Sequence, residues 1–436
     1  MAKSKEDISE QVYEYLVESG EERACDSITE ESCKEAPGNF LLNGLNGFAT
    51  KLAEQIASPE LIIPYVFSLL GVPSFYSGLL VPIKNTGSLL PQLIVSAKIR
   101  AYPIRKYFWA IAGLAQGTMM ILIGLTVYYL KGGTAGIGVV ALILLFSMSS
   151  GVGSIAFKDV LGKTIPKGKR ARLLSFRATG GGLLTIIAGL ILFYFLSNES
   201  SVKAFSVLFL IAGMLWVLAA SLFSFIKEEP GATEGGRSPI DKIKKGFSLL
   251  KSDNNFYNFL ITRSLLLSIP LVQPFFVLYA TDSLDVQLSG LGLFVIATGI
   301  SNTISSPFWG KFSDRSSKKV MIVSAAFAAI ICLYVLLFNS FSESFKSIYT
   351  FGPVFFFIII AYGGARMSRK TYLVDYAPSK ERPLYVSVAN TFMGFITLIA
   401  GALSIIAGFL GVKVMIAFLM LLMILAGLSA IKLEEV

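Results

Sequence analysis

The chain has no histidine, three cysteines and three tryptophans among 436 residues, and charged side chains make up only 15% of it. Each shortage excludes something. Without histidine there is no imidazole to ligate a transition metal or to switch charge near neutral pH. Cys25 and Cys33 fall in a polar N-terminal stretch and Cys332 in an apolar run, so they read as incidental thiols rather than a framework. No GxxxxGK[ST] pattern occurs and no polar segment is long enough to hold a nucleotide-binding domain, which leaves no site for ATP. No nucleophile has an evident base beside it, so neither an enzyme nor a bound cofactor is expected.

What is present is apolar: 54% of residues are hydrophobic and the mean hydropathy is +0.68. Soluble proteins carry about 25% charged residues, and a bilayer-crossing helix needs about 20 apolar ones. The pattern is that of an all-α integral membrane protein with twelve transmembrane helices. The runs are 41 to 70, 76 to 97, 107 to 130, 135 to 157, 172 to 196 and 204 to 226, then 255 to 280, 288 to 309, 320 to 341, 348 to 374, 384 to 410 and 412 to 431. They are called spans 1 to 12.

Charge then orients the spans. Residues 1 to 38 hold 11 acidic and 4 basic side chains, a net of minus 7. This acidic segment lacks the basic start and apolar core of a removable signal. Ile8, Val12, Tyr15 and Leu16 share a face at helical spacing, which predicts a short amphipathic helix. Beyond it, the even connections and the central segment carry 24 Lys or Arg, whereas the odd ones carry Lys131, Lys203, Lys346 and Lys413. Short basic loops stay inside, so both termini are expected in the cytoplasm and the membrane is expected to be the plasma (inner) membrane. Anionic lipid head groups account for the basic balance without nucleic acid. The units are then an acidic cytoplasmic segment (1–38), an N-terminal bundle of six helices (39–226), a cytoplasmic linker (227–254) and a C-terminal bundle of six (255–436).

The chain also repeats itself. A shift of 212 residues, without a gap, lays Asn43, Asn46, Thr50 and Lys51 on Asn255, Asn258, Thr262 and Arg263. In the same register, 11 of the 32 positions from Lys158 to Gly189 are identical to their partners. Six helices return the chain to its starting side, so the halves are parallel repeats about an axis along the membrane normal.

Two parallel repeats of six helices joined by a polar linker resemble the transporters of the major facilitator superfamily. The stretch "GKFSDRSSKK", Gly310 to Lys319, is similar to that family's GxxxDRxxKK signature between helices 8 and 9. The resemblance covers about residues 40 to 432. It implies that Gly310, Asp314, Arg315, Lys318 and Lys319 act in gating and say nothing of cargo. The corresponding first-half stretch, "AKIRAYPIRK", keeps the basic end but has no acidic residue. The resemblance also implies a central cavity lined by spans 1, 4, 7 and 10.

Polar groups within the spans carry the functional reading, because a charge at the bilayer centre costs about 3 kcal/mol and faces water or a partner. Asn43, Asn46 and Lys51 with their repeat partners Asn255, Asn258 and Arg263 read as matched cavity linings. The resemblance places Lys51, Arg263 and Arg366 in the cavity. Arg177 on span 5 is a further candidate, and snorkelling to the interface is the alternative for Arg177 and Arg366. Glu54 is the one deep carboxylate of the first half; it pairs either with Lys51 three residues earlier or with Lys84 on span 2. It serves either as a proton carrier or as a fixed ionic partner. Five cations against Glu54 favour an anionic cargo, because an unpaired charge in low dielectric is costly.

The expected function is secondary active transport of a small, anionic organic solute by alternating access, with proton-coupled import as the coupling mode and the chain acting as a monomer among membrane lipids. Two alternatives stay open: an efflux carrier for metabolites or drugs, and a non-transporting membrane sensor or scaffold. Gly182 and Gly189 on span 5 and Gly394, Gly401 and Gly408 on span 11 recur every seven residues, a pattern for close helix packing. Proline in "SPE", Ser58 to Glu60, predicts a break in span 1.

Overall fold

The computed structural model describes residues 9–15, 28–166, 169–195, 202–231, 249, 252–284, 288–313, 315–378 and 382–435. Among them no strand occurs. In the first half the helices are α1 (Ala36–Ile56), α2 (Ile62–Leu69), α3 (Ser74–Arg100), α4 (Lys106–Tyr129), α5 (Gly132–Thr164), α6 (Arg170–Phe195) and α7 (Val202–Ser224). The second half repeats the order with α8 (Asn254–Leu265), α9 (Ser268–Leu284), α10 (Leu288–Ser313), α11 (Ser317–Leu337), α12 (Pro353–Tyr376), α13 (Arg382–Leu410) and α14 (Val412–Ile431). Span 1 is thus α1 plus α2, and span 7 is α8 plus α9. The "SPE" turn breaks span 1 as expected, because Pro59 cannot donate to the helical ladder and the Ser58 carbonyl instead takes the amides of Ile62 and Ile63. The matching break in span 7, at Leu266 and Leu267, comes one turn before Pro270, a proline that removes a helical hydrogen bond and is expected to bend that span.

Among the described residues, eight helices are long and apolar enough to cross a membrane, with span 7 counted as one. Spans 1, 2, 8 and 11 fall outside that count; the apolar parts of spans 8 and 11 are Gly290–Ser305 and Val388–Ala402. Burial differs among the others: 83% of the span 7 window is buried against 33% for span 12 and 22% for span 5, which makes span 7 central.

Several boundaries differ from the sequence reading. Span 1 starts at Ala36, with Pro37 in its first turn, five residues earlier than expected and inside the acidic segment. Span 4 extends to Thr164 and span 8 to Ser313. The N-terminal helix is present over 9–15, but its face is rotated: Tyr13 is 1% exposed while Tyr15 is 87% exposed. Tyr13 stands edge-on to Phe40, ring centroids 5.5 Å apart, against Leu161, Ile165 and Leu173. Ile8 and Leu16 lie outside the described residues. Cys33 is in a disulfide rather than a free thiol, Cys332 is free and buried, and Cys25 lies outside the described residues.

The two bundles meet through small residues. A Cβ added to Gly189 would lie 2.7 Å from Ile296, one on Gly292 2.6 Å from the Phe193 amide, and one on Gly182 2.6 Å from the Thr303 hydroxyl. The α6 and α10 axes therefore run antiparallel in close contact, and α3 meets α13 where Gly401 packs on Pro82. Gly408 is outside the described side chains. The antiparallel pairing sets the start of α6 beside the end of α10. Lys318 donates to the Leu433 carbonyl and Lys227 to Glu35, so both chain ends lie on this one side, here called the terminal face. The glycine contacts fall in the half of the molecule away from the terminal face.

Candidate substrate site between the two bundles

In the first half, α1 supplies Lys51 and Glu54 one turn apart. If α1 rises at about 1.5 Å per residue from Ala36, Lys51 is ~22 Å along it. Lys51 Nζ donates to Glu54 Oε2 at 2.7 Å. Lys84 on α3 does not take Glu54; its Nζ donates to Glu60 Oε1 at 2.8 Å. Glu60 is a carboxylate the sequence reading overlooked, since it sits in the turn between α1 and α2 and reads there as a helix start. Ser58 fixes it by donating to Glu60 Oε2 at 3.1 Å. Glu54 is also in the field of Lys84 and Arg177, so the two pairs form one local network.

Arg177 on α6 does not reach toward solvent. Its Nη1 donates to the Asn43 carbonyl at 2.6 Å, to the Asn46 side-chain oxygen at 3.0 Å and to the Asn43 side-chain oxygen. Asn46 in turn donates to the Ala219 carbonyl at 2.8 Å. Both asparagines are fully buried, at 0% exposure. Their placement is that of a cradle for an arginine, with Gly44 and Gly47 letting α6 approach; a Cβ on Gly44 would meet the Phe176 ring at 2.5 Å. The Arg177 guanidinium also lies over the Phe157 ring, 4.7 Å from its centroid.

The second half places its groups differently. Asn255 donates to the Tyr372 hydroxyl at 3.0 Å and accepts the Glu434 amide at 3.1 Å, so it ties span 7 to span 10 and to the C-terminus. Asn258 is half-buried, and its carbonyl accepts from the Thr262 hydroxyl at 3.0 Å. Arg263 donates from Nη2 to Asn390 on α13 at 3.1 Å, while its buried Nε has no partner among the described residues. Arg369 on α12 stands in its field. Lys370, one residue on, feels Arg366, Arg369, Arg263 and, from the other bundle, Lys158. Arg366 lies over Tyr362, 5.9 Å from the ring centroid, and Tyr362 in turn is an electrostatic neighbour of Lys84. The two bundles therefore face each other through Lys84 with Tyr362 and Lys158 with Lys370. Lys158 and Lys370 are 212 residues apart and so are repeat partners.

The gating stretch is partly described. Gly310 has no described side-chain environment and Asp314 lies outside the described residues. Arg315 is exposed, Lys318 donates to the Leu433 carbonyl at 2.6 Å, and the Lys319 amide is capped by Ser316 at 3.1 Å. In the first half, the acidic partner missing from "AKIRAYPIRK" is supplied by other segments. Arg105, 6% exposed, pairs with Asp159 of α5, and the Arg105 and Lys106 amides donate to Glu228. Lys163 bridges Asp159 at 2.9 Å and Glu228 at 2.8 Å. These contacts lock loop 2 to the ends of spans 4 and 6.

Two bundles of repeated six-helix plan, with charged groups turned into the seam between them, define a helical protein with several spans long and apolar enough to cross a membrane. Residues 264–435 match the family model described as Major Facilitator Superfamily. Solved structures agree over nearly the whole chain. The nucleoside transporter NupG superimposes with a TM-score of 0.66, at 14% identity, over 91% of this chain and 100% of that one. The xylose transporter XylE from E. coli, in an inward-open conformation, gives 0.65 at 13% identity over 92% and 97%. A peptide transporter of the POT family, in complex with 5-aminolevulinic acid, gives 0.67 at 13% identity over 89% and 94%. Uncharacterised proteins of Mycobacterium bovis and Mycobacterium tuberculosis are 21% identical over 367 residues, 82% of this chain and 67% of theirs. The match to the Major Facilitator Superfamily model covers the second half of the chain, and nearly the whole chain shares the fold of these solved transporters.

Proposed function

We propose that the protein is a secondary active carrier for a small organic anion, working by alternating access, with both termini in the cytoplasm. One observation carries the reading: the second half of the seam holds Arg263, Arg366, Arg369 and Lys370 with no ion pair to any of them among the described residues. In the first half, by contrast, Lys51 and Lys84 each have a carboxylate. A cluster of like charges is costly until a counter-charge arrives, most of all at Arg263 with its buried Nε, and a carboxylate or phosphate bound there would supply it. Arginine suits either group, since its planar fork donates two parallel hydrogen bonds. Asn390 presents its side-chain oxygen to Arg263 and so leaves the remaining guanidinium donors for cargo.

The coupling centre in this reading is the pair of ion pairs, Lys51 with Glu54 and Lys84 with Glu60. Lys51 and Glu54 lie in the last two turns of α1 and Glu60 in the break between α1 and α2, a natural hinge, so a proton taken by either glutamate would free a lysine and change how the outer half of span 1 sits. Asn43, Asn46 and Arg177 act as the rigid backing of this centre rather than as cargo ligands.

The test is uptake into proteoliposomes loaded with a proton gradient, using matched labelled solutes of negative, zero and positive charge. The reading expects the anions alone to accumulate, and accumulation to collapse with an uncoupler. Preferential uptake of a cation would refute it.

A further inference from the structure

Away from the seam, the ends of α10 and α11 diverge and leave a groove of about 420 Å3 on the outer surface of the second bundle. Its floor is Trp309, 6% exposed and fixed by an Nε1 hydrogen bond to the Ile360 carbonyl at 2.8 Å. Its walls are Phe308 and Phe312, one turn apart on α10, with Val320 and Val323 on α11. Phe308, Phe312 and Val323 are 47%, 48% and 51% exposed, so apolar surface is left bare. At the terminal face the groove ends in Arg315 and Lys319. Their neighbour Lys318 is engaged by the C-terminus, whereas Arg315 and Lys319 have no ion pair among the described residues.

Depth settles what such a groove fits. At a rise of about 1.5 Å per residue, Val320 and Val323 are ~5 to 9 Å into α11 from Ser317, the boundary between head groups and acyl chains. An occupant therefore meets hydrocarbon on one side, aromatic edges below, and two cations at its outer end. Such a molecule has an apolar tail and an anionic head, and a neutral head would leave the two cations without partners.

We propose that this groove is a binding site for one anionic phospholipid, its acyl chain on Phe308, Phe312 and Val323 and its phosphate on Arg315 and Lys319. The site lies on the family's gating stretch, so an occupied groove ties the α10 to α11 turn to one leaflet. The proposal requires membrane insertion and is independent of the cargo.

Trp309 reports on the groove. The full chain is reconstituted in phosphatidylcholine with rising fractions of brominated-acyl phosphatidylglycerol or brominated-acyl phosphatidylcholine, and the Trp309 signal is the difference between wild type and Trp309→Phe. Brominated phosphatidylglycerol is expected to quench that signal at about thirtyfold lower mole fraction than brominated phosphatidylcholine, the size of effect two basic side chains give near an anionic head group. The Arg315→Gln, Lys319→Gln double variant, altered only at exposed positions, is expected to lose the preference. Equal quenching by the two lipids, or a preference that survives in the double variant, overturns the proposal. So does a preference abolished by added inorganic phosphate, which would mark a free-anion site. A preference seen only after residues 1–28 are deleted would make the acidic segment the occupant and would also overturn it.

Discussion

Spans 1 and 7 share a register but solve the same packing problem in opposite ways. In the first half, Gly44 and Gly47 let α6 come close, and Arg177 fills the space with hydrogen bonds to Asn43 and Asn46. The residues 212 positions later are Phe256 and Phe259. There the space is filled by rings: Phe259 stacks on Tyr372 with centroids 5.1 Å apart, and Phe256 stands edge-on to Tyr385 at 4.7 Å. Asp253 caps α8 and accepts from the Tyr376 and Tyr385 hydroxyls at 2.7 and 2.8 Å, closing that cluster without a cation. One half thus spends its arginine on structure, and the other leaves Arg263 facing the seam. A repeated backbone position does not imply a repeated role.

Predictions follow from that asymmetry. The largest effect is expected from Arg263→Gln, which removes the cation that the proposed function assigns to cargo. Initial uptake of the transported anion should fall about a hundredfold, equivalent to about 3 kcal/mol for a desolvated charged contact. Lys51→Gln, at the repeat partner, should fall much less, because Lys51 is already neutralised by Glu54. Equal losses would mean that the halves contribute alike.

Next in size is the glycine contact between α1 and α6 within the first bundle. Gly44→Leu would drive a side chain into the Phe176 ring and is expected to lower stability by ~1 to 3 kcal/mol, read as a drop in melting temperature in detergent. Phe256→Leu at the partner position should cost less, since it trims a ring rather than forcing two helices apart.

The Lys84 to Glu60 pair sharpens the first-half reading. Removing one partner strands the other, so Lys84→Met or Glu60→Gln alone should destabilise by more than the double variant, with a coupling of ~1 to 3 kcal/mol in a thermal-melt cycle. The smallest effect belongs to Lys51 with Glu54. Their side chains are 49% and 38% exposed, so Glu54→Gln should change stability by only ~0.5 kcal/mol or less. If Glu54→Gln leaves stability intact but abolishes gradient-driven uptake, the role of Glu54 is coupling rather than structure.

Much of this was legible in the residues. Apolar runs of membrane length are a strong signal, and the offset of 212 residues exposed the two-bundle plan. The break at "SPE" showed through Pro59. The break at Leu266 and Leu267 has a similar cause, since Pro270 has no amide to give the Leu266 carbonyl, which takes the Ile269 amide instead. The site was read less well. Asn43 and Asn46 were polar residues in an apolar setting, and only the fold showed that their partner is Arg177. Glu60 was hidden in a turn, and Asn390, an uncharged residue in a span, gave no signal until Arg263 was seen to donate to it. Glu228, which accepts the Arg105 and Lys106 amides, came from a segment with no visible link to loop 2.

The central claim is that the seam of the second bundle holds an anion through Arg263, and thermal stabilisation tests it most directly. A ligand that binds the folded carrier raises its apparent stability by an amount set by concentration over Kd. Small dicarboxylates and phosphate monoesters should raise the melting temperature of the wild type, while their uncharged and cationic analogues should not, and Arg263→Gln should lose the response. Stabilisation by cationic analogues, or an anion response unchanged in Arg263→Gln, would contradict it.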